Sequence, residues 1–190
     1  MVDGESVAQG ARDIAAVTST TEVAILPPVA GGSLVRAAVL TVSDRASSGA
    51  HEDKSGPALV AMLQEAGYAI AATAVVPDDK KRIAAQVQTW CDASVDLVIT
   101  TGGTGIASRD VTPEALTPLL TRELPGIVET MRAVGRAETP LADLSRQVAG
   151  TRDATLVLGV PGSIRGATTS LTAVLAVIPH ALEMLQGNPE

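Results

Sequence analysis

Aromatic side chains are almost missing from this sequence, which has one Trp, one Tyr and no Phe in 190 residues. Their scarcity excludes the stacking platforms that hold single-stranded nucleic acid. It also requires any core to be built from Ala, Val, Leu and Ile. Positive charge is in short supply too: 14 Lys and Arg stand against 21 Asp and Glu, a net charge of -7. That balance works against electrostatic capture of DNA or RNA. The single cysteine, Cys91, rules out an internal disulfide and fits a reducing compartment. His51 and His180 stand apart, without metal-ligand spacing and away from any nucleophile elbow, so Ser-His-Asp chemistry is excluded. Loop placement for one and core packing for the other are the expected roles. No basic leader precedes an apolar stretch, and no apolar run could span a bilayer. A cytoplasmic protein with no nucleic-acid or membrane partner is expected.

What is present is aliphatic. Hydrophobic residues make up 46% of the chain, too many for disorder over most of its length. From Ala37 onward, strand-like and helix-like segments alternate. Strands are expected at 37–42, 69–76, 95–100 and 155–160 from their short apolar runs. Helical spacing recurs at Leu59, Met62, Leu63 and Ala66, and again at Ile83, Val87 and Trp90. Pro125 begins another helix. A last one carries Leu171, Val174, Leu175, Ile178, Leu182 and Leu185 on one face, and Pro179 should kink or interrupt it. This alternation predicts β-α-β crossovers, hence an α/β fold built on a mainly parallel sheet buried under helices. Residues 1–36 lack the rhythm. They read as an N-terminal extension and linker ahead of a domain spanning 37–190, with one short strand at 23–26.

Three polar, glycine-rich loops follow strands, at 43–57, 101–112 and 161–167, and parallel topology should bring them to one edge. In Thr101-Gly102-Gly103-Thr104-Gly105 the glycines let the backbone approach a ligand and turn its N–H groups inward as an anion nest. The threonine hydroxyls add donors. A tight turn with no ligand is the alternative. The stretch is neither a P-loop nor a Rossmann fingerprint. Asp110 lies between this loop and the Thr112-Pro113-Glu114 helix start, where Thr112 is placed to cap. A carboxylate beside a phosphate nest calls for a cation, and Mg²⁺ would serve. Asp78, in Pro77-Asp78-Asp79, is either a second such acid or the cap of the helix bearing Ile83. Ser43-Asp44-Arg45 carries both signs of charge. Pro161-Gly162-Ser163 opens the last helix, whose N-terminus, with Arg165, favours anions.

Taken in order, Thr-Val-Ser-Asp-Arg (41–45), Asp-Lys-Ser-Gly-Pro (53–57), Thr-Thr-Gly-Gly-Thr-Gly (100–105), Arg-Asp-Val-Thr-Pro-Glu (109–114), Leu-Pro-Gly (124–126), Leu-Ser-Arg-Gln (144–147) and Pro-Gly-Ser (161–163) resemble the Mog/MoaB family of molybdenum-cofactor assembly over about residues 36–187. The resemblance implies the three-layer molybdopterin-binding fold and a homotrimer. It also implies transfer of AMP from Mg-ATP to the terminal phosphate of molybdopterin, with the product destined for a separate molybdenum-insertion enzyme. Asp78 and Asp110 would then be the catalytic acids, acting on Mg²⁺ through Mg-ATP. Ser43, Asp44, Arg45, Thr101, Gly102, Gly103, Thr104 and Gly105 would bind nucleotide or pterin. Pro161, Gly162 and Ser163 would close the pocket. A molybdopterin-binding protein without transferase activity is the alternative within the family, and retention of Asp78 favours the transferase. Residues 1–32, through the stretch 21–32 ending in Gly31-Gly32, resemble the C-terminal end of a MoaD-type sulfur carrier, read as a truncated remnant with no terminal carboxylate to activate; an ordinary polar leader with a Pro/Gly linker is the alternative.

Overall fold

The computed structural model describes residues 34–187. The carrier-like stretch and the short strand expected at 23–26 lie outside the described residues. Four strands run parallel: β1 (Arg36–Val42), β2 (Ala69–Val76), β3 (Leu97–Thr101) and β6 (Thr155–Val160). β4 (Arg122–Glu123) and β5 (Val148–Arg152) extend the β6 edge in antiparallel fashion, giving the order β2-β1-β3-β6-β5-β4. These two strands are not among those expected from the sequence.

The period-2 alternation of the central strands sorts the core into two clusters, one on each face of the sheet. Ala37, Val39, Leu97, Ile99, Leu156, Leu158 and Val160 face α2 (Ser55–Glu65), α5 (Pro125–Glu138), α6 (Ile164–Val174) and α7 (Ile178–Leu185). Ala38, Leu40, Val42, Val98 and Val157 face α3 (Lys80–Asp92) and α4 (Thr112–Leu116), with Trp90 buried at the far end of α3. A short α1 (Asp44–Ser47) follows β1 directly. The architecture is therefore helix–sheet–helix. β2, on the edge, is only half covered and alternates between intermediate and exposed residues.

Local sequence explains where elements stop. Gly67, at φ +85°, takes the left-handed conformation that ends α2 and returns the chain to β2. Near Pro179 the last helix breaks into α6 and α7, which meet at a bend of 63°. Leu171, Val174, Ile178 and Leu182 remain buried across the break. His180 sits exposed on α7, beside Glu183, rather than in the core. Among the described residues, no single helix is long and apolar enough to cross a membrane.

From β1 the chain passes through α2 to β2 on one side. It then returns through α3, on the opposite face, to β3 on the other side of β1. The direction of winding reverses between β1 and β3, and at such a switch point the strand C-termini open into a crevice.

Ile99, with no exposed surface in the middle of β3, tests how rigid this arrangement is. Ile99→Ala is expected to cost about 2–5 kcal/mol, read as a lower urea midpoint with unchanged slope.

Candidate active site

A cleft of about 410 Å³ lies outside the ends of β1 and β3. Its walls come from Thr41, Val42 and Ser43, from 51–55, from Thr101–Gly103 with Asp78 and Asp110, and from Gly162–Ile164. The first residues of α2 and α6, each 11 residues long, therefore open onto it and present the positive ends of their dipoles.

The glycine loop is packed so tightly that side chains would not fit. A Cβ on Gly102 (φ +106°) would meet the Val42 carbonyl at 2.2 Å. One on Gly103 (φ +61°) would meet the Thr112 hydroxyl at 2.4 Å and Asp78 Oδ1 at 3.0 Å. Gly105 lies as closely against Asp110, whose Oδ2 would stand 2.7 Å from its Cβ. Both acids thus rest on the glycine loop. Among the described residues no acceptor takes the N–H groups of Gly103, Thr104 or Gly105, as an anion nest requires.

Each acid is held by backbone. The Asp44 N–H donates to Asp78 Oδ2 (2.9 Å), and the Asp78 N–H donates to Asp44 Oδ1 (3.0 Å). Asp44 also accepts a bidentate pair from Arg109, at 2.7–2.9 Å. Asp110 Oδ2 accepts from the Ala107 N–H at 2.8 Å. Burial raises the Asp78 carboxyl above its ordinary value, and the charges of Asp44 and Asp110 add to this. Hydrogen bonding to Arg109 draws the Asp44 carboxyl the other way. A cation near Asp78 and Asp110 would relieve the repulsion. No group of three or more His, Cys, Asp or Glu among the described residues could hold a metal, so the remaining ligands would come from a substrate's phosphates and water.

Residues 38–180 match the family model described as "Probable molybdopterin binding domain". The chain belongs to this family. A molybdopterin adenylyltransferase of Helicobacter pylori (strain J99) is 40% identical over 155 residues, covering 79% of this chain and 87% of that protein. Gephyrin of Dictyostelium discoideum is 41% identical over 80% of this chain, which spans only 23% of gephyrin's length. The crystal structure of the molybdopterin biosynthesis enzyme MoaB from Thermus thermophilus superposes with a TM-score of 0.78 at 46% identity, covering 82% of this chain and 99% of that one.

In this domain, the residues singled out from sequence gather unevenly. Ser43, Asp78, Thr101, Gly102, Gly103, Asp110, Gly162 and Ser163 line the cleft. Asp78 does not cap α3; Asp79 does, accepting from the Arg82 N–H at 2.9 Å. The Thr112 hydroxyl does not cap α4 either, because it donates to the Gly102 carbonyl at 2.8 Å and fixes the loop instead. Thr101 donates to the Pro161 carbonyl at 2.7 Å, and Thr104 bonds Ser145 at 3.0 Å. The threonines thus brace the loop, leaving donation to its amides. Arg45 is exposed and outside the cleft, whereas Arg165 turns away to pair with Glu138. Pro161 lines a second hollow of about 310 Å³ between α5 and α6, which Ser163 shares.

Asp53 and His51 are among the cleft residues that the sequence did not single out as site residues. Asp53 accepts from Thr41 Oγ1 (2.6 Å) and the Gly56 N–H (3.0 Å), anchoring the start of α2 to the end of β1. His51, assigned to a loop, reaches the cleft wall. The Asp-Lys-Ser-Gly-Pro stretch was the available signal for the first; a lone loop histidine offers none.

The raised Asp78 carboxyl has a consequence for stability. Its contribution is fully present below pH 3.8, the ordinary value, and is lost as pH rises through the raised one. Asp44, shifted down, contributes in the opposite sense: stability present above its ordinary value and lost in acid. Asp78→Asn cannot ionise but keeps an oxygen for the Asp44 N–H. It is therefore expected to melt above the wild type at pH 7, with the gap closing below pH 3.8. Calorimetric scans across this range check it; a lower melting temperature at pH 7 would contradict the assignment.

Proposed function

We propose that this domain transfers AMP from Mg-ATP to the terminal phosphate of molybdopterin, releasing pyrophosphate. The observation that carries the reading is the meeting of Asp78 and Asp110 against the Gly103–Gly105 backbone, inside a cleft open to two helix N-termini. A domain that only held the pterin would need neither acid. The adenylyltransferase relative, matched over most of its length, supports the same chemistry.

A phosphate oxygen of molybdopterin attacks the α-phosphorus of ATP. The new P–O bond forms as the bond to the β-phosphate oxygen breaks, and the electron pair leaves with pyrophosphate. The attacking phosphate is already ionised at neutral pH, so the chain has no proton to abstract. Its task is to bring two anions together and hold them in line. The loop amides and the first turns of α2 and α6 bind phosphate oxygens, and the braced threonines keep those amides in place. Asp78 and Asp110 would hold the Mg²⁺ that arrives with ATP, which supplies charge neutralisation on the phosphates. Arg109 keeps Asp44 paired, so that Asp44 positions Asp78 through the backbone exchange.

Residues 37–190 form the transferase unit, and 1–36 an extension carrying the carrier remnant. The cytoplasm is its compartment, and a molybdenum-insertion enzyme receives the product. The unit works as a homotrimer. Exposed apolar side chains on α5 and the turn behind it, Val134, Leu141 and Leu144, support self-association. A sedimentation mass of three chains at micromolar concentration is expected, and a monomer would count against it.

Asp110→Asn keeps the side chain's volume and removes its charge. AMP transfer is expected to fall by about two orders of magnitude, with molybdopterin affinity retained. Wild-type transfer would reduce Asp110 to a loop residue. Loss of pterin binding together with activity would move it into the pterin pocket.

A further inference from the structure

Asp110 is carried on a segment that has little else to hold it. Residues Ile106–Arg109 are exposed, and the turn's own backbone bonds are Asp110 N–H to the Ala107 carbonyl (2.9 Å) and Thr112 N–H to the Gly103 carbonyl (3.0 Å). Arg109 ties it to Asp44. From behind, a single side chain spans the whole segment. Arg146 donates Nε–H to the Gly105 carbonyl at 2.8 Å and Nη2–H to the Asp110 carbonyl at 2.6 Å, and pairs through Nη1 with Glu114 in the first turn of α4. Its backbone N–H donates to the Thr104 carbonyl at 2.7 Å, and neighbouring Ser145 bonds the Thr104 hydroxyl.

Residues 145–146 thus grip this loop at four successive points, Thr104, Gly105, Asp110 and Glu114. The guanidinium reaches two carbonyls and a carboxylate from three different nitrogens held in one plane, whereas the three donors of an ammonium radiate from a single nitrogen. A carbonyl captured from behind also turns the N–H of the same peptide, that of the next residue, the opposite way, because the peptide is trans and planar. Arg146 is not among the residues lining the cleft. Whatever it does for the chemistry passes through the loop, which carries, besides its amides, the Asp110 carboxylate fixed to it by the Ala107 N–H.

We infer that Arg146 is a positioning residue that sets the Asp110 carboxylate for Mg-ATP from behind the glycine loop. This rests on the adenylyltransferase reading for the identity of the reaction, but not for the coupling between the two residues, which nucleotide binding reports independently.

The test is a double-mutant cycle of Arg146→Lys with Asp110→Asn in the full chain. It is read as kcat/KM for Mg-ATP, as Kd for Mg-ATP by calorimetry, and as Kd for molybdopterin. Arg146→Lys is expected to lower kcat/KM for Mg-ATP by about tenfold or more, as loss of a second contact around a catalytic group does, with molybdopterin affinity changed less than about threefold. In the Asp110→Asn background, the same substitution should cost less than about threefold further. Equal losses in both backgrounds, or parallel weakening of both substrates, would make Arg146 a stability residue and overturn the inference. If Arg146→Lys does not fold, Glu114→Gln takes its place, leaving the two carbonyl contacts intact. It should show a smaller loss that again disappears without the Asp110 charge, and a loss that persists overturns the inference. If the wild type binds Mg-ATP but transfers no AMP, the reaction reading falls and the calorimetric cycle alone decides on Arg146. Absence of Mg-ATP binding overturns both.

Discussion

Thr41, Thr101 and Val160 stand level in adjacent parallel strands, and every feature of the cleft depends on that register. Strands in a sheet lie about 4.8 Å apart, so three loops leaving at the same height start within roughly 10 Å of one another. They need no length to converge. The register is locked just past the strand ends, where the Gly102 N–H reaches the Val160 carbonyl at 3.1 Å and the Thr101 hydroxyl reaches the Pro161 carbonyl. A one-residue slip would turn the side chains of β3 inside out across the sheet and separate these partners.

On this frame the acidic groups are unequal. Asp44 is paired with Arg109, and its backbone exchange with Asp78 joins the ends of β1 and β2 into one unit. Among the described residues no such bidentate cation holds Asp78 or Asp110. Asp78 is kept partly out of water and within the field of both other acids. The domain therefore stores repulsion at the place where the proposed reaction would bring a cation, a common cost of preorganised sites.

The parallel half of the fold was legible because β1, β3 and β6 are covered on both faces, and their sequences are nearly continuous aliphatic runs. The antiparallel edge was not. β5 reads Val-Ala-Gly-Thr-Arg, with no hydrophobic run, and its hairpin to β6 turns through Asp153-Ala154, with Asp153 at φ +51°. An Asp-Gly pair would have announced that turn. At the site, the glycine loop and both acids could be read from local chemistry. Which of two adjacent acids caps α3, and that Thr112 turns to a carbonyl ten residues back, depend on backbone geometry that composition does not encode. Arg146 is further removed still. Its partners lie 32 to 41 residues away, a distance at which only the folded chain reveals the contact.

The shortage of aromatics leaves a practical legacy in Trp90. It is buried at 7% exposure under β1 and β3, near the C-terminal end of α3. The cleft lies at the opposite end of that helix, about 15 Å away along the axis at 1.5 Å per residue. As the only indole in the chain, it emits from one known environment. Its fluorescence therefore reports the melting of the α3 face from a single buried position away from the cleft.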